Sequence, residues 1–419
     1  MNDKEIYASL EVSDHEVRMV VGEFFNTRFN ILRIERIPTD GLSYNEIINE
    51  ESIVNAIKEA AHNVKNALGT SVKRVILAIP SYDLKRVPLQ VTVPIEGIDG
   101  KITVQDIRNA IKEAQNISIG KEFALVQTVC VVYTVDGISA RRMPIGEEAN
   151  ELTVDVELIC ADRQLTYSLV GCVEKAGLEV MEIFVDSFAI GTEASLFERS
   201  VKETVLLLNV ERESTTITRF GRGKLLDATT IPMGVGTFAG SVVDEYGIKR
   251  SVAIEKIKYH IDLNNTNNTD NPVYVWTEHN QEKKFSEKDL VNCIGPSVSK
   301  WLVSISKLCA GILKAGPTTV IITGEGGEVQ GLDALLQRQL KCEVKSYIPE
   351  TLGGRSSELT TCLGLFYAYK DKLPITGYTD SSLDMDSFLK AVSYRKEEEN
   401  QEETFTEKLR KRFLANNKK

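Results

Sequence analysis

The chain has 419 residues, enough for two or three hydrophobic cores. At 42% apolar and 26% charged residues it has an ordinary globular composition, and its net charge of −10 argues against general nucleic-acid binding. No apolar run approaches the roughly 18 residues of a membrane-spanning helix, and the opening MNDKEIYASL lacks the basic and apolar regions of a secretory leader. Seven scattered cysteines without a Cys-x-x-Cys pair suit reduced core residues. The four histidines (His15, His62, His260, His279) lack ligand spacing, so no metal centre is expected.

In chain order, Ile6 to Pro38 (IYASLEVSDHEVRMVVGEFFNTRFNILRIERIP) reads as strand, polar turn, strand, tight turn, strand. A helix (IVNAIKEAAHNVKNAL) and a strand, Val72–Pro80, follow. Residues 82–154 then read as a strand (Leu89–Pro94), a helix (Thr103–Asn116), a strand (Ala124–Thr134), a loop (Gly137–Asn150) and a strand beginning near Leu152, a small α/β module. Residues 155–197 read strand, helix, a stop at Gly177, strand, helix.

The first pattern then recurs. Val205–Pro232 (VLLLNVERESTTITRFGRGKLLDATTIP) is again three strands, the last two joined at Gly221-Arg222-Gly223, and both copies end on Ile-Pro. The first turn falls at the same place in each, Glu11-Val12-Ser13-Asp14 and Glu211-Arg212-Glu213-Ser214. Helical sequence (FAGSVVDEYG, then AIEKIKYHI) and a strand, Thr318–Gly324, complete the second copy. A duplicated meander-plus-helix unit facing itself across a cleft is the pattern of the actin-like ATPase fold.

From Asp371 the composition shifts. Residues 371–403 include five acids in seven positions, Glu397 to Glu403, and read as a flexible acidic linker, with SFLKAVSY as a short helical turn or transient contact. Thr404 and Glu407 form a capping-box pattern before a helix. Phe405, Leu409 and Phe413 recur every four residues on one face, with Leu414 off that stripe. Lys408, Arg410, Lys411, Arg412, Lys418 and Lys419 oppose the single acid Glu407. A basic, aromatic-bearing amphipathic helix on a tether suits an anionic membrane surface; a helix docked on the acidic body is the plain alternative.

Taken together, these features resemble the FtsA family, actin-like cell-division proteins that tie FtsZ filaments to the membrane. The inserted module carries the match in VPIEGIDGKITVQDIRNAIKEAQ and in Met143-Pro144-Ile145-Gly146. Thr323-Gly324 with Gly331-Leu332, and Glu255 with Lys258, match the family's adenosine contacts. The resemblance implies a first half at residues 1–81 and 155–202, an inserted subdomain at 82–154, and a second half at 203–363. A return at 364–370, an acidic linker at 371–403 and a membrane helix at 404–419 complete the chain. Implied partners are the FtsZ C-terminal tail, an anionic membrane surface, and further copies of the chain through the actin-like and inserted subdomains, at the division site on the inner face of the membrane. The family's FtsZ-binding surface includes helices around Asp289–Leu313, where its Glu-Pro-Arg is Gly295-Pro296-Ser297 here.

The nucleotide positions depart from the family. Its Asp-x-Gly-Gly-Gly-Thr turn, whose glycines let backbone amides close on phosphates, is Asn209 to Ser214 here; its Asp/Glu-x-Gly-Thr is Glu11-Val12-Ser13-Asp14. Glu325 replaces the second adenosine-loop glycine, and Ala239-Gly240-Ser241 stands in place of Thr-x-Asp. Each added carboxylate about 5 Å from a phosphate oxygen costs roughly 3 kcal/mol per charge pair at an effective dielectric near 20. Glu11, Ser13, Asp14, Ser214, Glu255, Lys258 and Gly324 are therefore positions of a degenerate nucleotide site. Weak or no ATP binding and no catalytic residue are expected, although Arg212 and magnesium would offset part of the repulsion. On the plainest reading Glu211–Glu213 is a solvated hairpin turn. The alternatives are a working actin-like ATPase that forms filaments, and an adaptor similar to the pilus-assembly protein PilM.

Overall fold

The computed structural model describes residues 4–26, 28–44, 46–95, 99–377 and 381–390. Its first half is built on a five-stranded sheet ordered Arg28–Pro38, Glu16–Phe25, Lys4–Val12, Arg74–Ile79, Glu179–Val185. The second half has a sheet ordered Lys224–Ile231, Thr215–Gly221, Thr204–Val210, Thr318–Thr323, Glu343–Ser346. In both sheets the meander is antiparallel and the later strands join parallel to its first strand. The duplication expected from the sequence is thus an actin-like fold.

Central strands are covered on both faces, which is why they read as near-continuous apolar runs. Ile6, Ala8 and Leu10 meet Ile53, Ile57, Ala60 and Val64 of the helix Glu50–Leu68 in one core. On the opposite face, Tyr7 and Val20 meet Leu363, Phe366 and Tyr369 of the helix Thr360–Thr376. That helix crosses Asp186–Glu193 closely: a Cβ on Gly364 would lie 1.9 Å from the Ala189 carbonyl oxygen. In the second half the long helix Glu287–Ala315 starts at a Ser286–Asp289 capping box and buries Trp301 completely. The Trp301 indole N–H donates to Thr215 Oγ1 at 2.9 Å.

The inserted module is a four-stranded sheet ordered Lys85–Pro94, Glu151–Asp162, Phe123–Val135, Ile138–Ala140, with the helix Val104–Ala114 packed on it. The boundary expected at residue 154 falls inside one strand. Glu151–Asp162 pairs with the first strand from Glu151↔Pro94 to Cys160↔Lys85, so the sheet of the module continues to Asp162. There the Asp162 carboxylate accepts from Leu165 N–H at 2.7 Å and caps the next helix.

The expected linker also begins later than residue 371. Thr360–Thr376 is one helix, and residues 381–390 dock on the first half. Ser382 N–H donates to the Ile6 carbonyl (2.8 Å), its Oγ accepts from Ala8 N–H (2.8 Å), and its carbonyl accepts from Lys73 N–H (2.9 Å). Leu383 bridges to Val72, and Phe388 is buried in the first-half core. The backbone of this segment completes hydrogen bonds at the sheet, and its apolar side chains cover the surface beside it. The acidic run Glu397–Glu403 and the helix positions Phe405, Lys408, Leu409, Arg410, Lys411, Arg412, Phe413 and Leu414 lie outside the described residues.

Candidate functional site

The first turns of the two meanders face each other across the cleft. Asp14 Oδ2 accepts from Glu213 N–H at 2.8 Å, joining the turns directly. Strand register places Arg18 opposite Glu11, and the two-residue repeat puts Glu16 and Arg18 on one face of the strand. Arg18 is completely buried. Its guanidinium donates to Glu16 (2.6 Å) and Glu11 (3.2 Å) in its own half, and reaches Glu211 of the other half at 2.9 Å.

Further charges surround this centre. Arg36, opposite Arg18 on the neighbouring strand, binds Glu16 at 2.6 Å and also bonds to Glu358. Lys258 bonds to Glu358, and Arg212 holds Glu325 at 2.6 Å. Burial disfavours ionisation of Glu16 and Glu358, but Arg18 and its neighbours outweigh burial and hold both carboxyls down at about 2. Burial wins at Glu11 and Glu211, whose carboxyls are pushed up despite Arg18. Nearby, burial raises Asp186 to about 6 against hydrogen bonds from Ser81 and Ser187.

Other polar contacts draw the halves together around this network. Ser187 and Thr218 hydroxyls lie 2.8 Å apart, Tyr82 OH is 3.3 Å from Ser214 Oγ, and Tyr44 OH donates to the Thr230 carbonyl at 3.1 Å. A cavity of only about 30 Å³ remains, lined by Glu11, Ser13, Asp14, Tyr82, Glu211 and Ser214 among others. Small-molecule sites need roughly 300–1,000 Å³, at least about tenfold more. The cleft in this conformation has no room for a phosphate chain.

Backbone donors tell the same story. A helix N-terminus readily binds anions through its unpaired amides. Here, at the start of Val235–Tyr246, Val235 N–H donates to the Glu211 carbonyl (3.1 Å) and Gly236 N–H to that of Arg212 (2.7 Å). Gly234 permits this approach, since a Cβ there would lie 2.1 Å from the Glu211 oxygen. Gly324, at φ 73, packs its turn against the same loop: its Cβ would meet Asn209 Oδ1 at 2.5 Å.

Of the positions read from the sequence, Glu11, Ser13, Asp14 and Ser214 line the residual cavity. Gly324 abuts it, and Lys258 joins the charge network. Glu255 does not come together with them; it is exposed and pairs with Lys256 at 2.9 Å. The solvated-turn reading is corrected at Glu211, which is buried with both oxygens on Arg18, while Glu213 sits at the rim with Arg250 at 2.7 Å. Arg18, Arg36, Glu16 and Glu358 were not picked out from the sequence. The available signal was Glu16-Val17-Arg18 opening a buried strand, Glu16–Phe25, where charges on a buried face demand partners.

Comparison with known proteins supplies the family context. A family model described as the SHS2 domain inserted in FtsA matches residues 83–160. Cell division protein FtsA of Bacillus subtilis is 24% identical over 372 residues, spanning 87% of this chain and 83% of that protein. FtsA of Neisseria meningitidis is 23% identical over 383 residues, spanning 88% and 91%. Among solved structures, the PilM-PilN type IV pilus biogenesis complex aligns at TM-score 0.58 and 15% identity, covering 86% of this chain and 98% of that one. MreB5 of Spiroplasma citri bound to AMPPNP aligns at 0.51 and 12%, covering 89% and 99%; at such identities these two matches speak for the fold alone. The inserted domain matches that of FtsA, and over most of its length the chain is similar to FtsA cell-division proteins on a duplicated actin-like core.

Proposed function

We propose that this protein is a nucleotide-independent FtsA-like scaffold. Its second half binds the C-terminal tail of FtsZ, and its basic C-terminal segment, Phe405 to Leu414, holds the complex on the anionic inner face of the cell membrane at the division site. The carrying observation is the Arg18-centred network, which joins the halves with the protein's own charges in the cleft. Closure then needs no ligand, and the molecule serves as a rigid link rather than an ATPase. Self-association through the actin-like and inserted subdomains belongs to the same proposal.

Reconstitution tests it. FtsZ from the same organism should pellet with anionic liposomes only when this protein is present. Recovery should be equal in ATP and in buffer cleared of nucleotide by apyrase. Strict dependence on ATP would sink nucleotide independence, and pelleting unaffected by truncation after Glu403 would sink the membrane role of the tail.

A further inference from the structure

The inserted module touches the second half as well as the first. Its strand Glu151–Asp162 runs on to Asp162, which caps a helix of the first half, so the module joins that half without a linker. Midway along this strand, Glu157 is 4% exposed and accepts from Arg86 of the neighbouring strand at 2.8 Å. Its other oxygen accepts from Lys224 Nζ of the second half at 2.9 Å. Lys224 follows the turn Arg222-Gly223, whose φ values of 55 and 71 are the left-handed pair of a two-residue hairpin loop. Arg141 of the module donates to the Arg222 carbonyl at 2.9 Å. Gly223 permits that approach, because a Cβ there would overlap the Arg141 guanidinium.

Packing alone does not hold the module against the second half. A cavity of about 530 Å³ opens beside these contacts, lined among others by Val131 and Met143 of the module, Phe188 and Phe197 of the first half and Leu225 of the second. The polar contacts also fall where the chain crosses from the first half to the second, since Gly223 N–H donates to the Ser200 carbonyl at 3.3 Å. The cleft turn lies at the other end of the same strand pair, which runs from Thr215↔Ile231 to Gly221↔Lys224, about 20 Å away. We propose that Glu157 and Lys224 form a brace through which the inserted module holds the two halves closed, at the crossing and remote from the Arg18 network. Opening the cleft turns the second half about that crossing. The module cannot follow, being continuous with the first half, so the Glu157–Lys224 pair must break. A buried carboxylate shared by two cations makes that break costly, because the separated groups lose a charge-assisted bond inside the protein. Closure is thus set at both ends of one hairpin by the chain's own charges.

Hydrogen–deuterium exchange of the full-length protein, read by mass spectrometry on the peptide spanning Glu211–Ser214, tests the brace. Glu213 N–H in that peptide is bonded to Asp14 across the cleft, so its exchange reports opening. Lys224→Met leaves Glu157 paired with Arg86 and spares the fold of the module. It should nevertheless speed exchange in the cleft peptide about tenfold, within the span of about 2- to 150-fold that coupled neighbours show. Lys224→Arg, which keeps the charge, should preserve the protection. Glu157→Gln should speed exchange by itself and add little to Lys224→Met, since both remove one pair. The helix Leu332–Leu340, in the second half and away from the module, is the control and should exchange as in the unaltered protein. Cleft exchange unchanged in Lys224→Met would overturn the brace. So would equal acceleration in the control helix, which would mark general loosening rather than opening.

Discussion

Replacing Arg18 by methionine keeps much of the side-chain volume and removes the charge at the centre of the cleft. Four carboxylates lose a partner, though unequally: Glu358, 3.7 Å from Arg18, keeps Arg36 and Lys258. Glu16 retains Arg36, and Glu11, already pushed up by burial, can take a proton. Glu211 loses the residue that holds both its oxygens. Breaking one buried pair by deleting a partner costs about 3–5 kcal/mol, so the variant should lose about 4 kcal/mol. For domains of this size, at about 2–4 °C per kcal/mol, the melting temperature should fall by roughly 8–16 °C. The deficit should shrink towards pH 5, where Glu11 and Glu211 are more readily protonated. Adding Glu211→Gln should recover part of the loss, since the two residues form one coupled pair across the cleft. Differential scanning calorimetry with urea titration would measure these changes. A loss under about 1 kcal/mol, or no coupling with Glu211→Gln, would refute the network as the bond between the halves.

Other expectations follow from single residues. Burial pushes Glu193 up to about 7 against partial relief from the Tyr347 hydroxyl, and its Oε2 has no hydrogen-bond partner among the described residues. Its folded pKa exceeds the ordinary 4.5, so the stability it contributes is full below pH 4.5 and is lost as pH rises through 7. That loss is at most about 3 kcal/mol, less where solvent screens the group; Glu193→Gln should flatten this part of the pH profile in urea melts. Gly364→Ala should destabilise by several kcal/mol, about 3 or more, because the helix cannot back away from Ala189 without opening the core. In liposome pelleting, Leu409→Asp or Phe413→Asp should abolish binding and Leu414→Asp should cost less, with release as salt screens the basic residues. A chain ending at Lys390, which keeps the docked Ser382 and Phe388, should bind the FtsZ tail peptide as full length does in fluorescence anisotropy.

Much of the architecture was legible because it is written locally. Central strands such as Thr204–Val210 carry an unbroken apolar run, Val205–Leu208, the turns break them at matching places, and the repeat follows from comparing two segments of one chain. The docking of residues 381–390 was not legible, since Ser382 acts mostly through backbone groups that carry no side-chain signature. The cleft was half legible. Missing glycines raised the expectation of a weakened phosphate cradle, but the contact found there joins Arg18 to Glu211, 193 positions away. A Glu-Arg-Glu turn looks solvated by itself; only the opposing half supplies the buried guanidinium that makes Glu211 an interior residue. Likewise, Glu255 and Lys258 share a common helical spacing, yet only Lys258 turns into the cleft.

The most direct measurement is calorimetric titration of the purified full-length protein with ATP and magnesium. A cleft closed on Arg18, with about 30 Å³ left between its turns, should give no saturable heat at millimolar ATP, and no phosphate should be released on prolonged incubation. Magnesium-dependent binding in the micromolar range would contradict it, because the Glu11, Glu211 and Glu358 contacts would then have to open for a nucleotide that the cleft was held not to admit.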